Sequence, residues 1–488
     1  VGKKASYDGS TMIARQRRLT IRQIYPKEIR GGFTLMNSPQ IHICPFPCGN
    51  RPFRTIRCVI PLYPTPLKGE GIWAASGVNE ANVAMTATET ITSNPRVLGA
   101  DPLVVYHPAK DGQEEVKGGI GEEDIVCLVL PYIRSAREGV KRLGSLLEQY
   151  GTYEMNGIAF QDADEIWWLE TIGGHHWIAR KVPDDVYVVM PNQLGIDQFN
   201  LEDAFSEQKE YMCSADLKDF IEKYHLNLAM DGVLNPRDAF GSHDDSDHVY
   251  NTPRAWYMGR CLNPHTWRWD GPAADFTPYS DNIPWCMVPE KKVTVEDVKY
   301  VLSSHFQGTP YDPYAGYGES NMRGAYRSIG INRNDFMSLI QINDNRPDDI
   351  KAIQWLAFAS NAFNVMVPFY ADIETTPDYL SNTTGDVSTD NFYWSSRMIA
   401  AMADASYKKS VFHIERYQEH VLSKGHEIIN RYDDMIQNET NTDRHLALKH
   451  EANQAVADML KAATSDTLGK VLYELSNEMK NAYSRSDA

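Results

Sequence analysis

Long apolar runs are missing from this chain. None of its 488 residues falls in a stretch of about 20 consecutive apolar side chains, so no segment reads as a membrane span. Positive charge is scarce as well: 48 Lys and Arg stand against 65 Asp and Glu, for a net charge of −17. That balance argues against nucleic acid or an anionic membrane surface as partner. Cysteine is sparse, with seven residues, an odd number, and no CxxC pair. This argues against a disulfide framework and points to a reducing, cytoplasmic compartment. No secretory leader, internal repeat or low-complexity linker is visible. What is present is ordinary for a soluble globular protein, with 42% hydrophobic and 23% charged residues on a length that fits one large domain or two.

The first fifteen residues, VGKKASYDGSTMIAR, centre on Asp8-Gly9. Asp-Gly between short, partly apolar runs signals a two-residue hairpin, because both central positions of a type I′ turn need positive φ. In that register Tyr7 faces Ser10, Gly2 faces Arg15, and the chain start lies on a strand beside a guanidinium. An ordinary N-terminal hairpin accounts for as much. The string also resembles the start of the dipeptidase A family, which belongs to the cysteine N-terminal-nucleophile hydrolases. That resemblance implies a cysteine a few residues ahead of this point, heading the mature enzyme. Its thiol is the nucleophile and its own α-amine the base. The sequence begins at Val1, after that position, and the hairpin continued backwards sets the cysteine opposite roughly positions 18 to 21.

Gln16 to Pro66 stands apart. It holds eight basic residues, a single acid (Glu28), eight of the 26 prolines and three of the seven cysteines (Cys44, Cys48 and Cys58). Its net charge is +7, which leaves −24 on the rest. The resemblance is strong before and after this segment and vanishes inside it. Where the family has an aspartate three positions after the arginine that matches Arg15, this chain has Arg18. Three readings compete: a basic insertion, a divergent strand pair, and a reading-frame error. The abrupt change and return of composition favours the third, and peptide mass mapping across the segment decides it. Cys44, Cys48 and His42 are too few, and too stiffly held by Pro45 and Pro47, for a metal site.

Further on, Gly71–Thr90 reads as strand, turn and strand, with Asn79 in the turn. The resemblance makes Asn79 a candidate oxyanion donor, and an asparagine that merely supports a turn fits equally. Glu122, Glu123 and Asp124 open a helix, Pro131 breaks it, and a second amphipathic helix ends at Gly151. Gly157–Pro191 reads as a strand meander with turns at Asp162-Ala163-Asp164 and Gly173-Gly174. Asn192, which follows it, matches a position that serves the oxyanion hole in related enzymes; a strand cap is the plain alternative. Glu165 and Glu170 flank a Trp pair and raise a rival, a sugar cleft with two carboxylates. A regular strand points those two to opposite faces, and His175-His176 alternates in the same way. Ser242–His248 has the acids of a cation site but reads as a solvated loop.

Tyr250–Trp256 resembles the family's arginine-bearing strand. Arg254 is the candidate for two-point binding of a substrate carboxylate, Arg260 is the fallback, and an internal salt bridge is the alternative. Thr294 and Glu296 open a helix that runs to Ser304. Gly308–Gly318 (GTPYDPYAGYG) reads as an aromatic, pocket-lining loop. Strands are expected at 336–342 and 365–369. Two long amphipathic helices are expected at Ser395–Gln437 and Asp443–Ala482.

Outside Gln16–Pro66 the resemblance covers nearly the whole chain. It implies an α+β fold, the four-layer αββα N-terminal-nucleophile hydrolase sandwich, over residues 1–392, followed by a helical C-terminal region, 393–488. It implies hydrolysis of dipeptides through an acyl-enzyme, by a homo-oligomer that needs no metal and no cofactor. Arg15 keeps the thiolate anionic, Asn192 and Asn79 hold the oxyanion, and Arg254 takes the substrate carboxylate. Lacking the cysteine and the aspartate, the chain as written is expected to be inactive. The alternatives are an acylase on non-peptide amides, a carbohydrate-active or sugar-binding protein built on the Trp-rich strands, and a binding protein that keeps only the fold.

Overall fold

The strand-forming blocks pair into antiparallel sheets. In the computed structural model the described residues are 1–18, 39–43, 56–61, 74–86, 89–110, 112–384 and 386–479, with the backbone alone at 17–18, 39–43, 56–61 and 89. The strands among them are β1 (Thr11–Arg18), β2 (Pro39–Ile43), β3 (Ile56–Pro61), β4 (Ser76–Asn79), β5 (Ala84–Thr86), β6 (Glu89–Thr90), β7 (Asn156–Gln161) and β8 (Ile166–Thr171). They continue with β9 (Trp177–Val182), β10 (Tyr187–Val188), β11 (Tyr211–Cys213), β12 (Cys286–Met287), β13 (Asn334–Ile342), β14 (Ala352–Phe358) and β15 (Val367–Tyr370). One sheet has the order β1-β13-β14-β15, so β1 is an edge strand. The other runs β11-β9-β8-β7-β5-β4-β3-β2, with β6 also on β7, and β10 pairs with β12 separately. Within the basic segment, β2 pairs with β3 and β3 with β4. The side chains on which a reading of that segment depends lie outside the described residues.

Alternation along the strands sorts side chains to the two faces of each sheet. Ile13, Ile340 and Ile342 from one sheet share a core with Ala84, Ile166, Trp168, Ile178 and Val182 from the other. On the opposite face of the larger sheet, Ile158, Phe160, Trp167 and Leu169 pack on Val126, Val140, Leu143 and Leu147. These come from helices α1 (Glu122–Val129) and α2 (Ala136–Tyr150). Fully burying one such side chain contributes roughly 1.5–3 kcal/mol. The half-exposed pairs of Glu165 with Arg137 and Lys181 are worth about 0–1 kcal/mol each. The apolar face therefore sets the seat of β8.

On the smaller sheet, Leu339, Ile353 and Trp355 pack against Ile429, Ile436, Leu448 and Ala452 of the C-terminal helices. Among the described residues, no helix is long and apolar enough to cross a membrane.

The Gly151 end of the second helix falls where the sequence indicates. Ser135 accepts from the Glu138 N–H to start α2, and Gly151 at φ 69° ends it. The fold differs from expectation in several places. Tyr250–Trp256 is no strand, since α3 spans Thr252–Leu262 with Pro253 in its first turn, a placement proline favours. The capping box of α4 (Val295–Leu302) pairs Thr294 with Asp297, not Glu296. β14 was not foreseen, because its buried run AIQWLAF lacks alternation. The first long C-terminal helix is two, α5 (Phe392–Ala405) and α6 (Tyr407–Asn438), separated at Ser406, whose hydroxyl turns back to the Met402 carbonyl. The last helix, α7, spans Thr442–Ser476.

Candidate active site

The chain start forms part of the wall of the candidate site. Asp8-Gly9 makes its turn, with Gly9 at φ 81° and the Asp8 carboxylate accepting from the Ser10 N–H and Oγ. The arms do not pair as a simple hairpin. Val1 and Met12 exchange two bonds, Val1 N to Met12 O at 2.8 Å and Met12 N to Val1 O at 3.0 Å. Residues 2–6 curl into a turn, with Ala5 and Ser6 N–H on the Gly2 carbonyl. That turn docks on the segment ahead of β10, where Gly2 N donates to Val186 O and Lys4 N to Asp184 O. A Cβ on Gly2 would lie 2.4 Å from the Asp184 carbonyl oxygen, so only glycine fits. The expected facing of Gly2 with Arg15 is thus corrected: docking, not turn geometry, sets the register.

Val1, Met12, Ile13, Ala14, Arg15 and Gln16 line one side of a cavity of about 190 Å³. Ile166, Trp168 and Val182 line another, and Met190, Pro191, Arg254 and Met258 close it. Arg15 is buried, with Nη2 3.6 Å from Glu122 Oε2 at the start of α1. Among the described lining residues, Arg15 and Arg254 are the charged side chains.

Arg254 and Asn192 meet. The guanidinium donates Nη2 to Asn192 Oδ1 at 2.8 Å and to Asn251 Oδ1 at 2.7 Å, and Nε to the Tyr250 carbonyl. Asn192 Nδ2 donates to Thr90 O at 3.0 Å. Asn251 in turn donates to the Asn192 carbonyl and to Asp247. Asp247 is buried and also accepts from Ser242 Oγ. The loop read as solvated therefore has one anchored acid. Neither Asp247 nor Asn251 was singled out from the sequence; their i, i+4 spacing ahead of Pro253 was the available signal.

Asn79 lies elsewhere. Its Nδ2 donates to Leu130 O at 2.9 Å and Ile133 O at 2.8 Å, and its Oδ1 accepts from Ala81 and Val83 N–H. Those bonds pin the β4–β5 turn to the link between α1 and α2, and Asn79 is not among the residues that line the cavity. Arg260, the fallback, pairs with Asp270 at the surface. The aromatic loop 308–318 does not line the cavity either: Tyr314 stacks on Tyr407 and Tyr311 packs against Tyr326. Glu165 and Glu170 share no cleft, since Glu170 is fully buried on the Gly195 and Ile196 N–H groups. His175 and His176 both turn to Asp101.

A model of Peptidase family C69 matches residues 1–420. This chain belongs to peptidase family C69. It is 49% identical over 537 aligned residues to a protein named dipeptidase from Bifidobacterium longum, covering all of this chain and 98% of the relative. It is 48% identical over 499 residues to a probable dipeptidase A of Streptococcus pyogenes serotype M3, again covering all of this chain and 98% of the relative. It is 40% identical over 483 residues to dipeptidase A of Lactobacillus helveticus, across 97% of this chain and 95% of that one.

Burial pushes Cys213 up to about 12, Cys261 up to about 11, and Cys286 upward, so none of these three is a ready thiolate. Asn79 supplies a check on this placement. Asn79→Ala strands two buried carbonyls and two N–H groups and is expected to cost about 3 kcal/mol of stability, read as a lowered urea midpoint. Its kcat on the folded fraction is expected to be unchanged.

Proposed function

We propose that this C69 peptidase hydrolyses dipeptides in the cavity between Val1, Arg15 and Arg254, with a cysteine thiol ahead of Val1 as nucleophile. The carrying observation is that one cavity takes its lining from the chain start, Arg15, Arg254 and the segment leading into Asn192. Its two lining guanidiniums suit a free carboxylate, which a dipeptide always presents close to its scissile bond. Its volume of about 190 Å³ suits a small substrate. The names of the relatives favour a peptide over a non-peptide amide.

In this reading the terminal amine takes the thiol proton, and the thiolate attacks the carbonyl carbon. The Asn192 amide holds the oxygen that becomes negative. Collapse releases the C-terminal amino acid, which takes up the proton, and water then cleaves the thioester. Arg15, on the strand beside the incoming chain, favours the thiolate. The packing of helices on the outer faces of both sheets supports the four-layer αββα arrangement. In the chain extended to a processed cysteine, dipeptides are expected to be cleaved at least about tenfold faster than tripeptides or N-acyl amides. Faster cleavage of N-acyl amides in a substrate panel would favour the acylase reading instead.

A further inference from the structure

Glu170 is fully buried on β8, and the proposed chemistry makes no direct use of it. Its surroundings are built to hold a carboxyl group. Oε1 accepts from Gly195 N–H at 2.7 Å and from Trp168 Nε1 at 3.0 Å. The Ile196 N–H bridges both oxygens, at 3.3 and 3.4 Å. The other side of the Gly195 peptide is gripped too. Arg237, itself buried, donates Nη2 and Nε to the Gly195 carbonyl at 2.7 and 3.2 Å. Its Nη1 reaches the Ile283 and Asp281 carbonyls at 2.7 and 2.9 Å, which ties the clamp to the neighbouring loop. Met190 and Trp285 pack close on Gly195, where a Cβ would lie 2.4 Å from Met190 Sδ and 2.8 Å from Trp285 Cδ1.

What the clamp holds is the segment between Met190 and Ile196. Met190 and Pro191 wall the cavity, and Trp168, also held by Glu170, walls it from the other side. Asn192 sits three residues before Gly195 in a tight turn closed by Gln193 N–H on the Pro191 carbonyl at 2.7 Å. We propose that Glu170 and Arg237 are positioning residues that act through Asn192, fixing the 191–196 turn so that its amide meets the developing oxyanion. This rests on the oxyanion reading of Asn192.

The isosteric Glu170→Gln replaces one acceptor with an NH₂ group that opposes the Ile196 N–H. Arg237→Lys keeps the charge and loses the two-point grip on the Gly195 carbonyl. Small misplacements of a catalytic group cost on the order of ten- to a hundredfold. Each variant of the extended, cysteine-bearing enzyme is expected to lose about that much in kcat, with KM within about twofold. The deciding experiment is a double-mutant cycle with Asn192→Ala, run on both variants so that a folding failure of one leaves the other informative. The kcat loss caused by Glu170→Gln or Arg237→Lys is expected to vanish in the Asn192→Ala background. Losses that multiply independently overturn the proposal and leave the oxyanion reading standing. An Asn192→Ala enzyme with undiminished kcat overturns both.

Discussion

Dipeptide turnover by the chain that begins at Val1 is expected to sit at background, and extension to a processed cysteine is expected to raise it on the order of 10⁵- to 10⁶-fold. The size of the effect follows from what the nucleophile supplies. Without a thiolate no acyl-enzyme forms, and binding and oxyanion stabilisation alone are left. The buried thiols offer no substitute. With Cys261 at about 11 and Cys213 at about 12, the fraction ionised at pH 7 is roughly one in 10⁴ or less. None of Cys213, Cys261 and Cys286 lines the cavity. Steady-state assays on both forms, with matched concentrations of folded protein, check the expectation. Turnover by the Val1 form comparable to the extended form would remove the thiol from the account. Arg18 adds a second variable. Where the resemblance places an amine-binding aspartate, the chain has an arginine, so a raised KM is expected even in the extended enzyme. Arg18→Asp is expected to lower that KM and leave kcat near its starting value.

The second large effect is at Asn192. Asn192→Ala in the extended enzyme is expected to lower kcat by about 10² to 10³, the usual loss for one oxyanion donor, equivalent to about 2.7–4 kcal/mol of barrier. Under the proposed oxyanion role dipeptide KM should move little, because that charge develops only in the transition state. Arg254 provides the contrast. It holds Asn192 Oδ1 and lines the cavity, so Arg254→Ala should raise KM and lower kcat together. Equal loss of kcat and kcat/KM for Asn192→Ala supports an oxyanion donor. A rise in KM with unchanged kcat would make Asn192 a binding residue.

What could be read from the chain was local, and what could not was long-range. Glu122, Pro131 and Gly151 marked the two helices because first-turn acids, caps and breakers act on their own turn. Trp167 and Trp168 marked a strand with two buried faces, and the structure sends them to opposite sides of the sheet. Arg15, Arg254 and Asn192 were named from a resemblance, and the fold brings the first two to one cavity and the last two into contact. The place of Asn79 was hidden because its partners, the Leu130 and Ile133 carbonyls, lie 51 and 54 positions away. The N-terminal register misled for the same reason, since Gly2 docks on Val186. Arg254 sits on a helix that Pro253 announced, but the strand of the resemblance took precedence. Glu170 was weighed as half of an acid pair, whereas its partners are backbone groups at Gly195 and Ile196, which no side-chain pattern shows.

The central claim, a thiolate ahead of Val1 held anionic by Arg15, meets its most direct test in alkylation. The extended enzyme would be titrated with iodoacetamide across pH 5 to 9, the modified residue identified by peptide mass, and the rate compared with Arg15→Ala. The account predicts one equivalent of label on the N-terminal cysteine, loss of turnover in step with labelling, and a labelling pKa raised on removing Arg15. Label on any other cysteine in step with lost turnover, or a pKa indifferent to Arg15, would contradict it.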